Sequence, residues 1–193
     1  MSVGQRLVVG LGTESVLETG LRLHYTYGTP LVPGSALKGL AAHYCHTVLG
    51  ADNPEFKYVG EFCGQDGKLV RRMGDYHRML FGSNESSGII SFHDAWISPE
   101  AIRAGEGLLL DVMTTHHPDY YSGSGDSAPH DAEDPTPIHF LSTRGAFRFV
   151  LESEDSGEDG LRWRDYTLEF LKQALVSWGA GGKTSSGYGR FNP

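Results

Sequence analysis

The chain has 193 residues, the size of one compact domain with a real core. Its 16 Lys and Arg against 24 Asp and Glu leave a formal charge of −8. That balance excludes a protein that binds nucleic acid over its whole surface, so an anionic partner has to be met by local cations and backbone N–H groups. No run approaches the roughly 18 apolar residues of a membrane helix, and the start of the chain lacks the basic and apolar parts of a signal peptide. A cytoplasmic protein with no membrane contact is expected. Cys45 and Cys63 supply neither a disulfide framework nor a C-x-x-C pair, so reduced thiols are expected. The 26 glycines are nearly twice the usual ~7%, a sign of many unusual backbone angles.

In chain order, Arg6 to Leu11 reads as a strand that closes on Gly10 and Gly12, and Leu21 to Tyr27 as a second extended piece. After Pro30 and Pro33, Ser35 is an N-cap candidate for a helix. Leu37, Leu40, Ala41, Tyr44, Cys45, Val48 and Leu49 then recur at helical spacing up to Gly50. Met73, Tyr76, Leu80 and Phe81 mark a short helix stopped by Gly82. Ile89 to Ile97 reads as one strand with Ile90, Phe92 and Trp96 on a common face that Asp94 interrupts, and Leu108 to Thr114 as another. The segment from Asp119 to Pro137 is dense in Gly, Ser, Asp and Pro, the composition of a long mobile loop. Strands follow at Ile138 to Leu141 and Phe147 to Leu151, then an acidic connection around Glu154, Asp155, Glu158 and Asp159. Asp165 is positioned to cap a second long helix with Leu168, Leu171, Leu175 and Trp178 along one stripe. Insertions aside, the order is strand, helix, strand, strand, helix, strand. This predicts an α+β, ferredoxin-like (βαββαβ) fold in one domain over residues 1–193, the arrangement also used by RNA-recognition domains.

The C-terminal GAGGKTSSGYGRFNP contains a G-K-T, but Ser177 stands where a phosphate-binding P-loop needs its first glycine. The glycines also follow a helix instead of preceding one, so no helix N-terminus faces a bound phosphate. An NTPase is excluded. What remains is G-x-G, five residues, G-x-G, from Gly179 and Gly181 through Gly182, Lys183, Thr184, Ser185 and Ser186 to Gly187 and Gly189. Glycines permit positive φ and close backbone approach, and the N–H groups, hydroxyls and lysine are donors that phosphate and ribose oxygens accept from. Tyr188 is a candidate to stack a base. The plainer reading, a glycine C-cap and a turn, accounts for Gly179 only. The second glycine-centred segment, GTPLVPGSALKG, brings Gly34, Ser35 and the first N–H groups of a helix together with Lys38.

These two segments, PGSALKG at Pro33–Gly39 and GAGGKTSSGYG at Gly179–Gly189, resemble the paired motifs of the RAMP superfamily, the repeat-associated proteins of CRISPR systems. RLVVGLG, LETGLRLHYTYGTPLVPGS, SFHDAW, LDVMTTHHPDYY and DPTPIHFLST spread the resemblance over nearly the whole chain. Within the superfamily the chain looks most like the sixth-subunit family of the type III-B, or Cmr, effector complex, with a shorter N-terminal lead-in. The resemblance implies a non-catalytic RNA-binding structural subunit. Its partners would be CRISPR RNA, target RNA at the end of the guide–target duplex, and other RAMP subunits, and it would need no cofactor. The expected RNA-binding set is Gly34, Ser35, Lys38, Gly179, Gly181, Gly182, Lys183, Thr184, Ser185, Ser186, Gly187, Tyr188 and Arg190. His24, Arg71, Arg72, His116 and His117 are further candidates.

Two other readings stay open at this point. RAMP processing endonucleases place a histidine where His24 stands, and a base near a ribose 2′-oxygen would serve RNA cleavage, although no second group of matching role is evident. A protein-only assembly cap is the other. His43 and His46, three residues apart on one helix, are a weak metal pair without a third ligand, and the spacing of Asp94 and Asp111 predicts no shared two-metal site. Arg22, Arg144 and Arg148 have no evident place.

Overall fold

The computed structural model describes residues 1–13, 19–64, 68–115 and 136–193. His116, His117 and the loop expected from Asp119 lie outside the described residues, apart from Thr136 and Pro137, which open a strand.

Residues 2–9 run extended through the middle of the fold with chain on both sides. On one side Leu7 and Thr143 exchange N–H···O bonds of 2.7 and 2.9 Å, and the Val3 N–H reaches Gly145 at 2.9 Å. On the other, Gly189 donates to Arg6 and Gly4 to Arg190, each at 2.7 Å. Val3 and Leu7, spaced as alternate residues of an extended chain, are buried. The segment turns at Gly10, whose φ of +86° suits glycine and whose carbonyl accepts the Thr13 N–H and hydroxyl at 3.1 and 2.7 Å. The expected first strand is therefore real but its pairing starts earlier, at Ser2.

Strand β1 (Leu31–Val32) leads into helix α1 (Gly34–Tyr44), which continues through a π turn (Cys45–Leu49) into α2 (Gly50–Asp52). The helix begins at Gly34, with Pro33 in the cap position, so Ser35 sits in its first turn and caps nothing. Leu37, Ala41, Tyr44 and Cys45 are buried as their spacing predicts, whereas Val48, within the wide turn, is rotated outward. A hairpin of β2 (Gly60–Cys63) and β3 (Leu69–Arg72) follows, then α3 (Asp75–Phe81), which Gly82 ends at φ +85°. The Cys45 thiol, buried and donating to the Phe56 carbonyl at 3.4 Å, is pushed up to about 12 by its burial and serves as core packing.

The single strand expected over Ile89–Ile97 is two, β4 (Ile90–Phe92) and β5 (Ala95–Ile97). Between them Asp94 leaves the ladder and its carboxylate accepts the Gly34 N–H at 2.7 Å. The break reverses the faces, so Ile90 is buried while Trp96 points outward. The expected Phe147–Leu151 strand divides at the same level into β8 (Phe147–Arg148) and β9 (Leu151–Ser153). β4 pairs with β9, and β5 lies between β1 and β8. Short helix α4 (Pro99–Arg103) connects β5 to a long hairpin of β6 (Leu109–Thr115) and β7 (Thr136–Ser142). All strand pairings in the described residues are antiparallel and fall into small sheets, so the fold is α+β.

Helix α5 (Glu158–Ser177) starts two turns before the expected cap at Asp165. Glu158 and Asp159, read from sequence as a solvated connection, occupy its first turn, where carboxylates favour the positive end of the helix dipole. Gly160 lets the Asp155 carbonyl approach so closely that a Cβ would sit 2.1 Å away. Its buried stripe of Thr167, Phe170, Leu171, Ala174 and Leu175 packs on α1, where Tyr44 stacks parallel to Phe170 and donates to Gln173 at 3.1 Å.

His77 in α3 is 4% exposed, packed by Tyr58 and Phe81, with its Nδ1 buried and unpartnered. Burial, together with the nearby His46, outweighs the Ala42 carbonyl and lowers its pKa, so the folded state holds it neutral. The unfolded chain gains this proton below about pH 6.5, so the stability that the neutral ring supports is lost as pH falls from there. Urea midpoints measured between pH 7.5 and 5 are expected to drop on acidification, and to drop less in His77→Phe. Equal pH dependence in the two proteins would contradict this assignment.

Candidate nucleic-acid interface

After α5 the chain reverses through the glycine segment. Gly179, Gly181, Gly187 and Gly189 have φ of +78, +83, +92 and +68°. Lys183, at φ +58°, is the only non-glycine with positive φ among the described residues. The loop lies against the central extended segment, with Gly182 donating to Val8 at 2.8 Å and Gly189 to Arg6 at 2.7 Å, and it closes on itself through Ala180 to Gly189 at 2.9 Å. A Cβ on Gly181 would sit 2.2 Å from the Val8 carbonyl oxygen, and one on Gly189 1.9 Å from that of Ala180. These two glycines are required by the protein's own packing, whatever the loop binds. Gly187 is different, because a Cβ there meets only the Gln5 side chain, at 3.4 Å.

The loop's outer rim is a short 3₁₀ turn, Thr184–Ser186, entered from left-handed Lys183. The Lys183 carbonyl accepts from Ser186 at 2.9 Å and from Tyr188 at 3.2 Å. The successive N–H groups of Lys183, Thr184 and Ser185 have no acceptor among the described residues, and neither do the Lys183 amine and the Thr184 and Ser185 hydroxyls. A left-handed residue followed by right-handed ones turns consecutive N–H groups toward one concavity, the geometry of an anion nest.

Beside the rim is a cleft of about 530 Å³ lined by Gly4, Gln5, Arg6, Asp111, Arg144, Ser186 and Tyr188. Tyr188 donates to Asp111 at 2.6 Å, and Arg6 donates to the same carboxylate oxygen at 3.1 Å and to the Leu110 carbonyl at 2.9 Å. Burial works to raise the Asp111 pKa, but the Tyr188 hydroxyl, the Val112 N–H and Arg6 outweigh it and hold the carboxyl below its ordinary value. Burial and the bond to Asp111 push the Tyr188 phenol up to about 12. Its ring also packs on Phe140, 5.9 Å between centroids. Tyr188, proposed from sequence to stack a base, thus tethers the loop to β6.

The other predicted residues are dispersed. At the start of α1 the Gly34 N–H already serves Asp94, so the expected anion position there is held by an internal carboxylate. A Cβ on Gly34 would lie 2.1 Å from the Phe92 carbonyl oxygen, which explains that glycine by close approach. Ser35 and Lys38 line a separate cleft that includes Glu85 and Glu154. Arg72 is committed internally, to Glu55 at 2.9 Å, the Met73 carbonyl at 2.9 Å and the Phe62 ring at 3.7 Å. Arg71 stands exposed on β3 opposite Glu61. Arg190 donates to the Ser177 carbonyl and caps the end of α5. His43 packs on Trp178 and His46 accepts the Tyr58 N–H at 3.1 Å, so the two face different neighbours. Asp94 and Asp111 likewise have separate partners.

The RAMP superfamily model matches residues 3–192, covering both glycine segments. The chain belongs to the RAMP superfamily. It is 33% identical, over an alignment of 225 residues, to the CRISPR system Cmr subunit Cmr6 of Pyrococcus furiosus. That alignment takes in 96% of this chain and 64% of the relative's length. The crystal structure of Cmr6 from Pyrococcus furiosus superposes with a TM-score of 0.55 at 32% identity, covering 98% of this chain and 93% of that one. A chain of the type III-B Cmr-beta complex bound to cognate target RNA gives a TM-score of 0.66 at 19% identity, covering 98% of this chain and 55% of that chain. The last likeness is one of fold. This RAMP protein is a homologue of Cmr6, as the sequence resemblance implied.

Sequence reading missed Arg6, Asp111 and Arg144 as neighbours of the loop, because they come from distant parts of the chain, with Arg6 and Asp111 105 positions apart and Asp111 and Tyr188 77 apart. Two consequences follow for stability. Gly187→Ala should cost only the ~1–2 kcal/mol of placing a side chain at left-handed φ, while Gly189→Ala should cost clearly more because its Cβ also strikes Ala180. Tyr188→Phe, which removes one hydrogen bond to a carboxylate that keeps Arg6 and the Val112 N–H, should cost ~1–3 kcal/mol. Urea unfolding of the three variants checks the order, and equal losses at positions 187 and 189 would refute the packing argument.

Proposed function

We propose that this RAMP protein is a non-catalytic RNA-binding subunit of a type III-B CRISPR effector in the cytoplasm. In this reading it follows the CRISPR RNA backbone and lies at the end of the guide–target duplex, among other RAMP subunits. The observation that carries the proposal is the rim of the glycine loop, where three successive N–H groups, two hydroxyls and the Lys183 amine point at no protein acceptor among the described residues. This donor set suits phosphate and ribose oxygens and is indifferent to base identity. The packing of α1 and α5 against small antiparallel strands is in keeping with a ferredoxin-like RAMP arrangement.

The endonuclease alternative draws no support from the surroundings of His24. Its Nδ1 accepts the N–H groups of Thr26 and Tyr27, at 3.2 and 3.4 Å, so that lone pair is engaged. That nitrogen is thus not free to take a ribose proton.

Lys183→Ala is expected to weaken binding of unrelated RNA sequences about equally and to flatten the salt dependence by less than ~1 unit of slope, one single-strand phosphate contact. Affinities across a salt series measure both. Unchanged affinity would favour a protein-only assembly cap. RNA incubated with the protein, with or without divalent metal, should stay intact, and site-specific cleavage abolished by His24→Ala would reinstate the endonuclease.

A further inference from the structure

An aromatic cluster outside the glycine loop has no role so far. The turn from His24 to Thr29 is closed by His24 N–H to Thr29 and Gly28 N–H to His24, both 2.8 Å. It presents Tyr25 at full exposure and Tyr27 at 70%, beside Trp96 at 37%. His24 lies 4.8 Å from the Tyr27 ring and 4.6 Å from Trp96, and those two rings are 6.1 Å apart. Each ring touches the other two, so His24 is not sandwiched and the three form one joint surface. The two backbone N–H groups on Nδ1 hold the imidazole against which Tyr27 and Trp96 rest.

Two arginines flank this surface. Arg72, Arg78, Arg103, Arg162 and Arg164 are all engaged by carboxylates. Arg22 and Arg148 are exposed and have no partner among the described residues. Arg148 is directly opposite Trp96 in the β5–β8 ladder, which puts both side chains on one face. Trp96 is opposite Leu31, the Leu31 N–H reaches the Arg22 carbonyl at 3.3 Å, and the Arg22 N–H reaches Val9 at 2.6 Å. Val8, the neighbouring residue, carries the glycine loop through Gly182. At ~4.8 Å per strand spacing, Trp96 is four spacings, about 20 Å, and Arg22 two spacings, about 10 Å, from Gly182 along one hydrogen-bonded backbone network.

We propose that His24, Tyr25, Tyr27 and Trp96 form a stacking platform for an unpaired RNA base, with Arg22 and Arg148 meeting the flanking phosphates. The proposal rests on the RNA-binding reading above and adds to it a second, base-contacting site on the same strand path. Exposed rings accept any base because every base has a π-face, and adjacent guanidinium groups without a partner among the described residues favour a polyanion over an apolar protein surface.

Tyr25 touches no other ring among the described residues and Tyr27 is mostly exposed, so a Tyr25→Ala/Tyr27→Ala double variant tests the platform without disturbing the core; circular dichroism verifies its fold. The probes are a labelled oligouridylate and an abasic strand of equal length, with affinities read by anisotropy. The double variant is expected to bind oligouridylate roughly tenfold or more weakly and the abasic strand as the parent does, whereas Lys183→Ala weakens both. Parent-like oligouridylate binding by the double variant overturns the platform, even where Lys183→Ala shows its effect. Loss of co-purifying subunits with RNA affinity intact also overturns it, in favour of a protein contact. A double variant weakened on oligouridylate alone beside an unaffected Lys183→Ala would uphold the platform and remove the loop. A parent chain that binds neither strand overturns both.

Discussion

The backbone of residues 2–9 is the constraint on which the rest depends. An extended segment with polar groups on both edges must find partners for all of them. It finds Thr143 and Gly145 after the long hairpin on one edge and Gly182, Gly189 and Arg190 on the other. The first residues of the chain therefore fix where its last residues lie. The glycine loop cannot move away from this edge without leaving the Val8 and Arg6 carbonyls unpaired, and such buried orphans cost ~1–3 kcal/mol each. Its rim is consequently presented by a rigid support even though the rim itself is a turn.

Charge is arranged in the same spirit. With 24 acidic and 16 basic side chains, most arginines have a carboxylate within reach, and two carboxylates have internal tasks. Asp94 takes the first N–H of α1, and Asp111 gathers Tyr188 and Arg6. Each removes a helix end or a cation from the pool that an anionic ligand would meet. Lys183, Arg22 and Arg148 are among the cations left without a carboxylate partner among the described residues. In a chain of net charge −8, any polyanion would have to be met by such local cations, because the rest of the surface repels one.

Local patterns were legible in the sequence wherever one period or one glycine decided the outcome. The α1 stripe of Leu37, Ala41 and Tyr44, the stop at Gly82 and the turn at Gly10 all follow from spacing and φ. What failed was decided at long range. Nothing local breaks the Ile89–Ile97 run at Asp94, because the bond that draws Asp94 out comes from Gly34, 60 residues away. The acidic residues before Asp165 looked solvated, and they are, but at a helix start, where their charge is an asset. In the candidate site the motif residues were visible, while their tasks were not. Gly34 and Gly181 are glycine because other backbone passes within van der Waals reach, and Tyr188 and Arg72 have partners that only the fold supplies.

Lys183 shows what the loop's geometry is for more directly than any glycine does. At the glycines around it, positive φ costs nothing, but a lysine there costs ~1–2 kcal/mol relative to ordinary backbone. A glycine would remove that cost, and the loop is already rich in them. The lysine is held left-handed by the Ser186 and Tyr188 N–H groups on its carbonyl, and Tyr188 is in turn held by Asp111. That conformation is the one that turns the N–H groups of Lys183, Thr184 and Ser185 into a common concavity with an amine beside it. Strain of this kind persists where the surroundings over-determine it, and here they do so from two directions, the Tyr188–Asp111 bond and the docking of Gly182 on Val8. The cost of one strained residue is thus offset by a donor array that is formed before any ligand arrives, so binding forfeits little conformational entropy at the rim.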